Sequence, residues 1–539
     1  LMVFARRSTT LLAAIIASCA MVLSLTACTS DNKTVVDGQT TVTSNSAGGV
    51  AVFTPSDGIT LNQQMPLNKW AKLVPDLTKA LADAGFKKGD IDHTTSDSLA
   101  KQSRAIQDFV VDHLSNNTTD DSGIAIAPDN MTLLVAPVVE ADASTRQYGD
   151  YVSQNLSTND VTDEGATSDG ESSKDDSSNT ESDSTASDEQ AQAVDRLVSS
   201  LKLAKESGMH VVLLGNSIEG YKPDAFVKFS DAQTIGKLQA EKMVSKLKLD
   251  KASKDNPKYI EVLLPYTAVD EKGNANDSTF AQEAFRGIWQ VLGSYYQKGV
   301  VESPSGTLDG KSTENDWQAV AYDAAKEGST AKVLDKRLAK TDGQSTLTRI
   351  DGIITMNDYI ASEVVKELDD LGYTGSAADI NPQITISGIV GNITGKKDLS
   401  RDAVPDPIKS PENDNANDSS SSDDDADEDT SASDKDRDSQ WPLVTGYGAY
   451  VSNIPSIVNG KQWMTGMEDR QTIATDIAQA CAKLNKDEAL NSMPSIRSSE
   501  VGGVKKIPTI SEPLLAVSAS NLKSALIDPG YISLADAGL

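Results

Sequence analysis

The side chains that most often carry covalent or metal chemistry are sparse in this chain. Its 539 residues include three cysteines and three histidines. The histidines (His93, His113 and His210) lack the spacing of metal ligands, and Cys481 is the only cysteine outside the N-terminal segment. We therefore predict no disulfide framework, no metal site and no resident cofactor. Carboxylate pairs are abundant, but none follows a predicted strand with a partner suited to glycoside hydrolysis, so we do not expect an enzyme.

A lipid-modified cysteine is the clearest chemical prediction. The basic pair Arg6-Arg7 precedes an almost purely apolar run over residues 11–25, which is too short for a permanent membrane-spanning helix and is typical of a secretion signal. The run ends in Leu-Thr-Ala-Cys at 25–28, which resembles a lipobox. We therefore predict that residues 1–28 are a lipoprotein signal peptide and that Cys28 carries the lipid that anchors the chain to the outer face of the cell membrane. The alternative is an ordinary cleaved signal with a coincidental cysteine.

The formal charge of −30 is concentrated in two acidic stretches. Residues 156–190 contribute −10 and residues 398–440 contribute −11, and both stretches are rich in Ser, Asp and Asn with few large apolar side chains. Such segments bury too little surface to offset the entropy of ordering, so we predict two disordered inserts. Calcium binding at Asp423–Asp425 is the alternative, although the spaced ligands of a calcium loop are missing. The overall negative charge argues against a nucleic-acid partner.

The rest of the chain alternates short apolar strands with amphipathic helices. Strands are predicted at 57–61, 131–136, 210–214, 259–264 and 350–355, and helices at 70–84, 98–114, 191–207, 234–247, 280–296, 331–338 and 360–371. Apolar strands separated by helices predict parallel sheets covered on both faces, and so many units predict two α/β lobes. Ligands of such sheets bind at the carboxyl ends of the strands. An extra strand at 383–390 has no explanation in this scheme.

Several strings resemble one family and occur in its order. They are Ile-Gly-Lys-Leu-Gln-Ala at 235–240, Asp-Gly-Ile-Ile-Thr-Met-Asn-Asp at 351–358, Trp-Pro-Leu-Val-Thr-Gly at 441–446, Ile-Val-Asn-Gly-Lys-Gln-Trp-Met-Thr at 457–465, and the tail strings at 504–509 and 527–531. They resemble the extracytoplasmic sugar-binding proteins of ABC importers, in the xylose and multiple-monosaccharide branch of the ribose-binding-protein superfamily. The resemblance spans residues 58–531, interrupted by the acidic stretches.

The resemblance implies a type I periplasmic binding protein fold, in which two Rossmann-like lobes are joined by a multi-crossing hinge. It places residues 51–229 and 466–500 in the N-terminal lobe and residues 230–465 and 505–539 in the C-terminal lobe, after a flexible tether over 29–50. It further implies a monomeric, membrane-anchored lipoprotein. Such a protein captures a sugar or a similar small polar ligand between its lobes and delivers it to the permease subunits of an ABC importer.

The resemblance also implies a set of ligand contacts. Sugar recognition needs aromatic rings against the apolar faces of a pyranose, and charged or amide groups for its hydroxyl groups. The residues that stand at the family's contact positions, whether retained or replaced, are Lys69, Trp70, Asn216, Asp231, Trp317, Asn357, Asp358 and Tyr447. For Asn357 and Asp358 the alternative is capping of the following helix, and for Trp317 it is core packing.

The match to the family's site is uneven. Lys69 replaces an Arg, Asn216 replaces an Asp, Glu468 replaces a Lys, and the Gly-Tyr-Gly around Tyr447 replaces Gly-Gln-Asp. The fold and class of protein therefore carry over, whereas the identity of the ligand does not. A second interpretation is that the pocket has decayed and the protein serves as a surface sensor or scaffold.

Overall fold

The computed structural model describes residues 46–57, 66–116, 119–120, 123, 125–158, 181–270, 273, 275–339, 347–378 and 440–539. Residues 46–539 form one compact unit. Several predicted features lie outside the described residues. They are the signal peptide with Cys28, the tether up to residue 45, the strand at 383–390 and the second acidic stretch up to residue 439.

Strands and helices alternate along most of the described chain, as predicted. In chain order, the strands are β1 (Gly49–Pro55), β2 (Ile91–Ser96), β3 (Met131–Val135), β4 (Asn155–Leu156), β5 (His210–Leu214), β6 (Ser217–Ile218), β7 (Ala225–Lys228), β8 (Lys258–Val262), β9 (Leu264–Pro265), β10 (Val301–Glu302), β11 (Ala321–Tyr322), β12 (Gly352–Ile354), β13 (Leu443–Thr445), β14 (Met464–Met467), β15 (Ile496–Val501), β16 (Val504–Ser511) and β17 (Leu515–Ser518). The α-helices are α1 (Trp70–Asp83), α2 (Leu99–Asn116), α3 (Ala143–Arg146), α4 (Glu181–Glu206), α5 (Ala232–Leu247), α6 (Thr279–Gln297), α7 (Ser329–Arg337), α8 (Asp358–Asp370), α9 (Ile454–Val458) and α10 (Arg470–Leu484).

The larger sheet has the strand order β15-β16-β7-β5-β3-β1-β2. Its neighbouring strands are parallel except for the β15–β16 pair. β3 is wholly buried, and only the first residue of β5 is partly exposed, as expected for strands that are covered on both faces. Helices α1 and α10 pack on one face of this sheet, and α2 and α4 pack on the other.

A two-glycine turn forms one edge of the larger sheet. Gly502 and Gly503 have φ values of +55° and +77°, a combination that favours tight hairpins. After this turn β16 runs antiparallel to β15 and pairs with β7. The sequence-based assignment of residues 505–539 to the C-terminal lobe is therefore wrong for β16, because the hairpin returns it to the larger sheet.

The smaller sheet has the order β10-β8-β12-β13, and all its strands are parallel. Buried residues of α5, α6 and α8 complete its core. Helices α5 and α6 approach closely because each has a glycine at the contact. A Cβ at Gly236 would lie 2.2 Å from the Ala284 carbonyl oxygen, and one at Gly287 would lie 2.0 Å from the Gln233 carbonyl oxygen.

The backbone passes three times between the parts of the chain built on the two sheets. β7 of the larger sheet leads into α5, which packs on the smaller sheet. β14 leads into α10, which packs on the larger sheet. β16 leads into β17, which pairs antiparallel with β14. The predicted α/β class, with mostly parallel sheets joined by several crossings, is confirmed.

Two predicted boundaries differ from the structure. β1 begins at Gly49, inside the predicted tether, because its apolar residues pair between β2 and β3. α4 begins at Glu181, inside the first predicted disordered insert. Apart from Asp57, the strand predicted at 57–61 lies outside the described residues. Within the described ranges, none of the helices has the length and apolar character needed to cross a membrane.

Candidate functional site

The turn that follows β12 carries two of the predicted ligand contacts, and its backbone is strained. Met356 has a φ of +70°, in the left-handed region that costs a non-glycine residue roughly 1–2 kcal/mol. Gln239 Nε2 donates to the Met356 carbonyl at 2.9 Å, and Thr355 Oγ1 donates to the Thr445 carbonyl at 2.6 Å. A strained backbone conformation persists only where neighbouring groups stabilise it, and such turns cluster at binding sites. The turn directs Asn357 and Asp358 into the protein, where both are fully buried.

Asp358 is the first residue of α8, and its carboxylate accepts three hydrogen bonds. Oδ1 accepts from Gln462 Nε2 at 2.8 Å, and Oδ2 accepts from the Tyr450 amide and from Thr465 Oγ1, each at 2.9 Å. Burial raises the pKa of Asp358 to about 6, against the lowering effect of these donors. A Cβ at Gly446 would lie 2.2 Å from Oδ1. The carboxylate therefore bridges the ends of β12 and β13 to β14.

Asn357 caps α8 and also contacts a distant segment. Its Oδ1 accepts from the Ile360 amide at 2.9 Å, which is the capping role that the sequence left open. Its Nδ2 donates to Gln147 Oε1 at 3.3 Å. Gln147 belongs to residues 142–151, which follow β3 of the larger sheet and which we name the plug segment. Asn357 thus connects a strand end of the smaller sheet to the plug segment.

A second buried carboxylate lies beside the Tyr447 hydroxyl. Tyr447 OH donates to Glu468 Oε1, and Ser230 Oγ donates to the same oxygen at 2.7 Å. Ser230 precedes α5 and Glu468 precedes α10, so both lie at backbone crossings. Burial raises the pKa of Glu468, while hydrogen bonds from Tyr447 and Ser230 lower it. Glu468 Oε2 has no hydrogen-bond partner.

Lys69 and Trp70, at the start of α1, are engaged with other protein groups. Trp70 is 3% exposed and packs edge-on against Tyr151 and Phe229, with ring centroids at 5.2 and 5.7 Å. Lys69 Nζ lies 3.4 Å from Asp150 Oδ1, and the Trp70 amide donates to Asp150 Oδ2 at 3.2 Å. Burial raises the pKa of Asp150 to about 6, although Lys69 lowers it. Trp70 is therefore packed within the core of the larger sheet.

Asn216 and Asp231 hold loops and helix ends in place. Asn216 Nδ2 donates to the Pro137 carbonyl at 3.0 Å, and its Oδ1 accepts from the Gln154 amide at 3.1 Å. Asp231 Oδ1 accepts from the Thr234 amide at 2.7 Å and caps α5. Both side chains are engaged within the protein.

Trp317 lies in the core of the smaller sheet. Its ring packs edge-on against Tyr266, with ring centroids 5.1 Å apart. Thr267, which follows Tyr266 in the chain, lies close to the plug segment, because its Oγ1 lies 2.9 Å from Ser144 Oγ. Trp317 therefore packs in the core, which is the alternative given for it in the sequence analysis.

The plug segment contacts four of the eight predicted ligand contacts. Asn357 reaches it at Gln147, whereas Lys69 and Trp70 reach it at Asp150. Asn216 binds Gln154, shortly after the segment ends. A further predicted contact, Tyr447, packs beside Tyr148 of the segment.

Tyr148 is the central side chain of the plug segment. It is fully buried among residues of the smaller sheet's core. Its ring centroid lies 4.8 Å from that of Phe280 and 6.4 Å from that of Tyr447. Asn68 Nδ2 donates to the Tyr148 carbonyl at 2.6 Å. A tyrosine that extends from the larger sheet thus fills space against the smaller one.

Three buried polar atoms around Tyr148 and Tyr447 lack a hydrogen bond of good geometry. They are Asn68 Oδ1, Tyr148 OH and Glu468 Oε2. Each unpaired buried polar atom costs about 1–3 kcal/mol. We name these residues, together with Tyr447, the polar cluster. In the part of the chain that the structure describes, no group of His, Cys, Asp and Glu side chains is arranged to hold a metal ion.

Sequence reasoning did not propose Asn68, Tyr148 or Glu468 as contacts. In the sequence, Glu468 is distinguished only by its replacement of a Lys of the family pattern. A signal for Tyr148 was present, because it follows the carboxyl end of the buried strand β3, where ligands of parallel sheets bind. Asn68 directly precedes the predicted contacts Lys69 and Trp70.

Comparison with known proteins gives similarity to solved structures only. No protein-family model matches the chain, and no curated protein matches it significantly. An ABC transporter solute-binding protein from Clostridium phytofermentans with bound β-D-glucose is 17% identical with a TM-score of 0.45, over 90% of this chain and 99% of that chain. A carbohydrate transporter solute-binding protein from Chloroflexus aurantiacus in complex with D-glucose is 18% identical with a TM-score of 0.38, over 92% and 98%. The arabinose-binding protein AraP from Geobacillus stearothermophilus is 10% identical with a TM-score of 0.42, over 89% and 100%.

Proposed function

We propose that this chain is the extracytoplasmic solute-binding protein of an ABC importer and captures a sugar or a similar small polyol between two α/β lobes. The lobes are the parts built on the larger and the smaller sheet, and the three backbone crossings form the hinge. The observation that carries this proposal is the polar cluster, in which the buried acceptors Asn68 Oδ1 and Glu468 Oε2 have no hydrogen bond of good geometry.

The chemistry of the polar cluster suits a polyol. Asn68 comes just before α1 of the larger sheet's part, Tyr447 comes just after β13 of the smaller sheet, and Glu468 lies at a crossing. Hydroxyl groups of a solute would donate to the two free acceptors, while the rings of Tyr447 and Phe280 offer apolar surface to its C–H groups. Pairing each acceptor recovers about 1–3 kcal/mol. Because the acceptors come from different parts of the chain, binding would favour the closed arrangement.

The proposal includes a lipid anchor for the protein and a permease that receives its ligand. The Leu-Thr-Ala-Cys string at 25–28 supports a lipid anchor on Cys28, on the outer face of the membrane. The family-like strings support permease subunits as the partner, and the monomer as the working form. Their resemblance to the xylose and multiple-monosaccharide branch makes monosaccharides the first ligands to test.

Calorimetric titration of the full chain with monosaccharides, oligosaccharides, polyols and nucleosides tests the proposal. We expect one class to bind, and we expect Glu468→Gln to weaken that binding about tenfold or more, because the free acceptor is replaced by a donor. Glu219→Gln, at an exposed position, is the matched control and should leave affinity unchanged. Thermal unfolding of each variant checks that it is folded. A folded wild-type protein that binds no member of the panel would contradict the proposal.

A surface sensor or scaffold with a decayed pocket is the second candidate function. It is favoured by the way the predicted contacts are occupied, since Asp358 already accepts three hydrogen bonds and Trp70 is packed in a core. If the folded protein binds no member of the panel, that result supports this candidate.

A further inference from the structure

The plug segment is fastened to the larger sheet's part at its C-terminal end. The Asp150 amide donates to the Asn68 carbonyl at 2.9 Å, and Tyr151 stacks on Phe229 with ring centroids 4.9 Å apart. Gly149 has a φ of +88°, and a Cβ there would lie 1.9 Å from Asn68 Oδ1. Only glycine therefore lets the chain turn back beside Asn68 after Tyr148.

The opposite side of the plug segment is bonded to the smaller sheet's part. Ser144 Oγ lies 2.9 Å from Thr267 Oγ1 and accepts from the Thr267 amide at 3.0 Å. Tyr450 OH donates to the Gln147 carbonyl at 2.6 Å, and Asn357 Nδ2 donates to Gln147 Oε1 at 3.3 Å. The segment is thus hydrogen-bonded to both parts.

The Tyr148 side chain has the ring size of a small cyclic polyol, with one hydroxyl in place of several. It is a six-membered ring with one hydroxyl, it packs against Phe280 and Tyr447, and it is fully buried. Its hydroxyl has no hydrogen bond of good geometry, so moving the side chain out breaks no strong hydrogen bond of that group. Packing and the bonds of its neighbours hold it in place.

We propose that the plug segment is a built-in occupant of the binding cleft, which holds the two lobes closed and competes with the solute for the position of the Tyr148 side chain. This proposal rests on the proposed function and adds a regulatory step to it. A solute can bind only in molecules whose plug segment has moved. The apparent affinity is therefore the intrinsic affinity reduced by the fraction of molecules with a free cleft.

Tyr148→Ala tests the proposal, with Tyr221→Ala as the matched control. Tyr221 is also a buried tyrosine whose hydroxyl lacks a partner, but it lies in the core between the larger sheet and helices α2 and α4. Hydrogen–deuterium exchange of the ligand-free full chain is measured at the Thr267 amide, which donates to Ser144, and at the Leu67 amide, which donates to the Gly448 carbonyl. We expect about tenfold faster exchange at both amides in Tyr148→Ala and no such change in Tyr221→Ala.

Solute binding gives the second readout. Any solute that binds the wild-type chain should bind Tyr148→Ala about tenfold more tightly, because the competitor is gone. Weaker binding by Tyr148→Ala would overturn the proposal, since Tyr148 would then contact the ligand. Unchanged amide exchange rates at Thr267 and Leu67 in Tyr148→Ala would also overturn the proposal, regardless of the solute affinities. If exchange rises as expected but no solute binds either protein, the closing role of the plug segment stands and the proposed function fails.

Discussion

Asp358→Asn tests whether the buried carboxylate after β12 is a structural bridge. The change places an amide nitrogen, a donor, where a carboxylate oxygen now accepts. The Oδ1 position suits the nitrogen better because it faces one donor, Gln462 Nε2, whereas Oδ2 faces two. Gln462 cannot turn its amide without losing its bonds to Asn453 Nδ2 at 2.8 Å and to the Met464 carbonyl at 3.1 Å. Two donors therefore face each other, at a cost of about 1–3 kcal/mol.

The pH dependence of this variant gives the sharper expectation. Burial raises the pKa of Asp358 from 3.8 to about 6, so the folded state binds more protons than the unfolded state between these values. The contribution of Asp358 to stability is therefore fully present below about pH 4 and is lost as the pH rises to about 6. A pKa change of this size corresponds to about 3 kcal/mol. Because asparagine does not titrate, the wild-type free energy of unfolding minus that of Asp358→Asn should fall by about 2–2.5 kcal/mol from pH 4 to pH 7, the rest being lost already below pH 4.

Urea unfolding followed by tryptophan fluorescence at pH 4, 5, 6 and 7 measures this difference. Asp108→Asn, at an exposed position on α2, is the control and should track the wild-type protein across the range. A difference in the free energy of unfolding between wild type and Asp358→Asn that stays constant to within about 1 kcal/mol from pH 4 to pH 7 would refute the reasoning. It would show that burial does not raise the pKa of Asp358.

Two further changes test the packing around the sheets. Gly236→Ala should destabilise the protein by about 1–3 kcal/mol, seen as a lower thermal midpoint, since its Cβ would meet the Ala284 carbonyl oxygen at 2.2 Å. Gly310→Ala, where the nearest atom would be at 3.5 Å, should not, and equal midpoints for the two variants would contradict the close approach of α5 and α6. Trp70→Ala should lower the free energy of unfolding in urea by about 3–5 kcal/mol; a variant as stable as the wild type would show that Trp70 is not a core residue.

The strands differ in how well the sequence predicts them. β3 and β5 lie inside the larger sheet with both faces covered, so their residues are almost all apolar and the prediction is close to the observed bounds. β2 is at the edge of the same sheet, and its four central residues, 92–95, are exposed. Its sequence therefore has neither an apolar run nor an alternating pattern, and the prediction missed it.

The site was predictable only where it is local in sequence. Asn357 and Asp358 could be placed because they come shortly after β12 and lie at the start of α8. Their partners could not, because Gln147 is 210 residues from Asn357 and Gln462 is 104 residues from Asp358 along the chain. The packing of Tyr148 could not be predicted for the same reason, since only the folded chain brings Tyr148 against the smaller sheet.

A crystal structure of the full chain with the tightest ligand of the binding panel tests the central claim most directly. We expect the ligand between Asn68 and Glu468, with the Tyr148 side chain moved away from Phe280 and Tyr447. A ligand bound elsewhere, with Tyr148 still packed against those two rings, would contradict both the proposed site and the role of the plug segment.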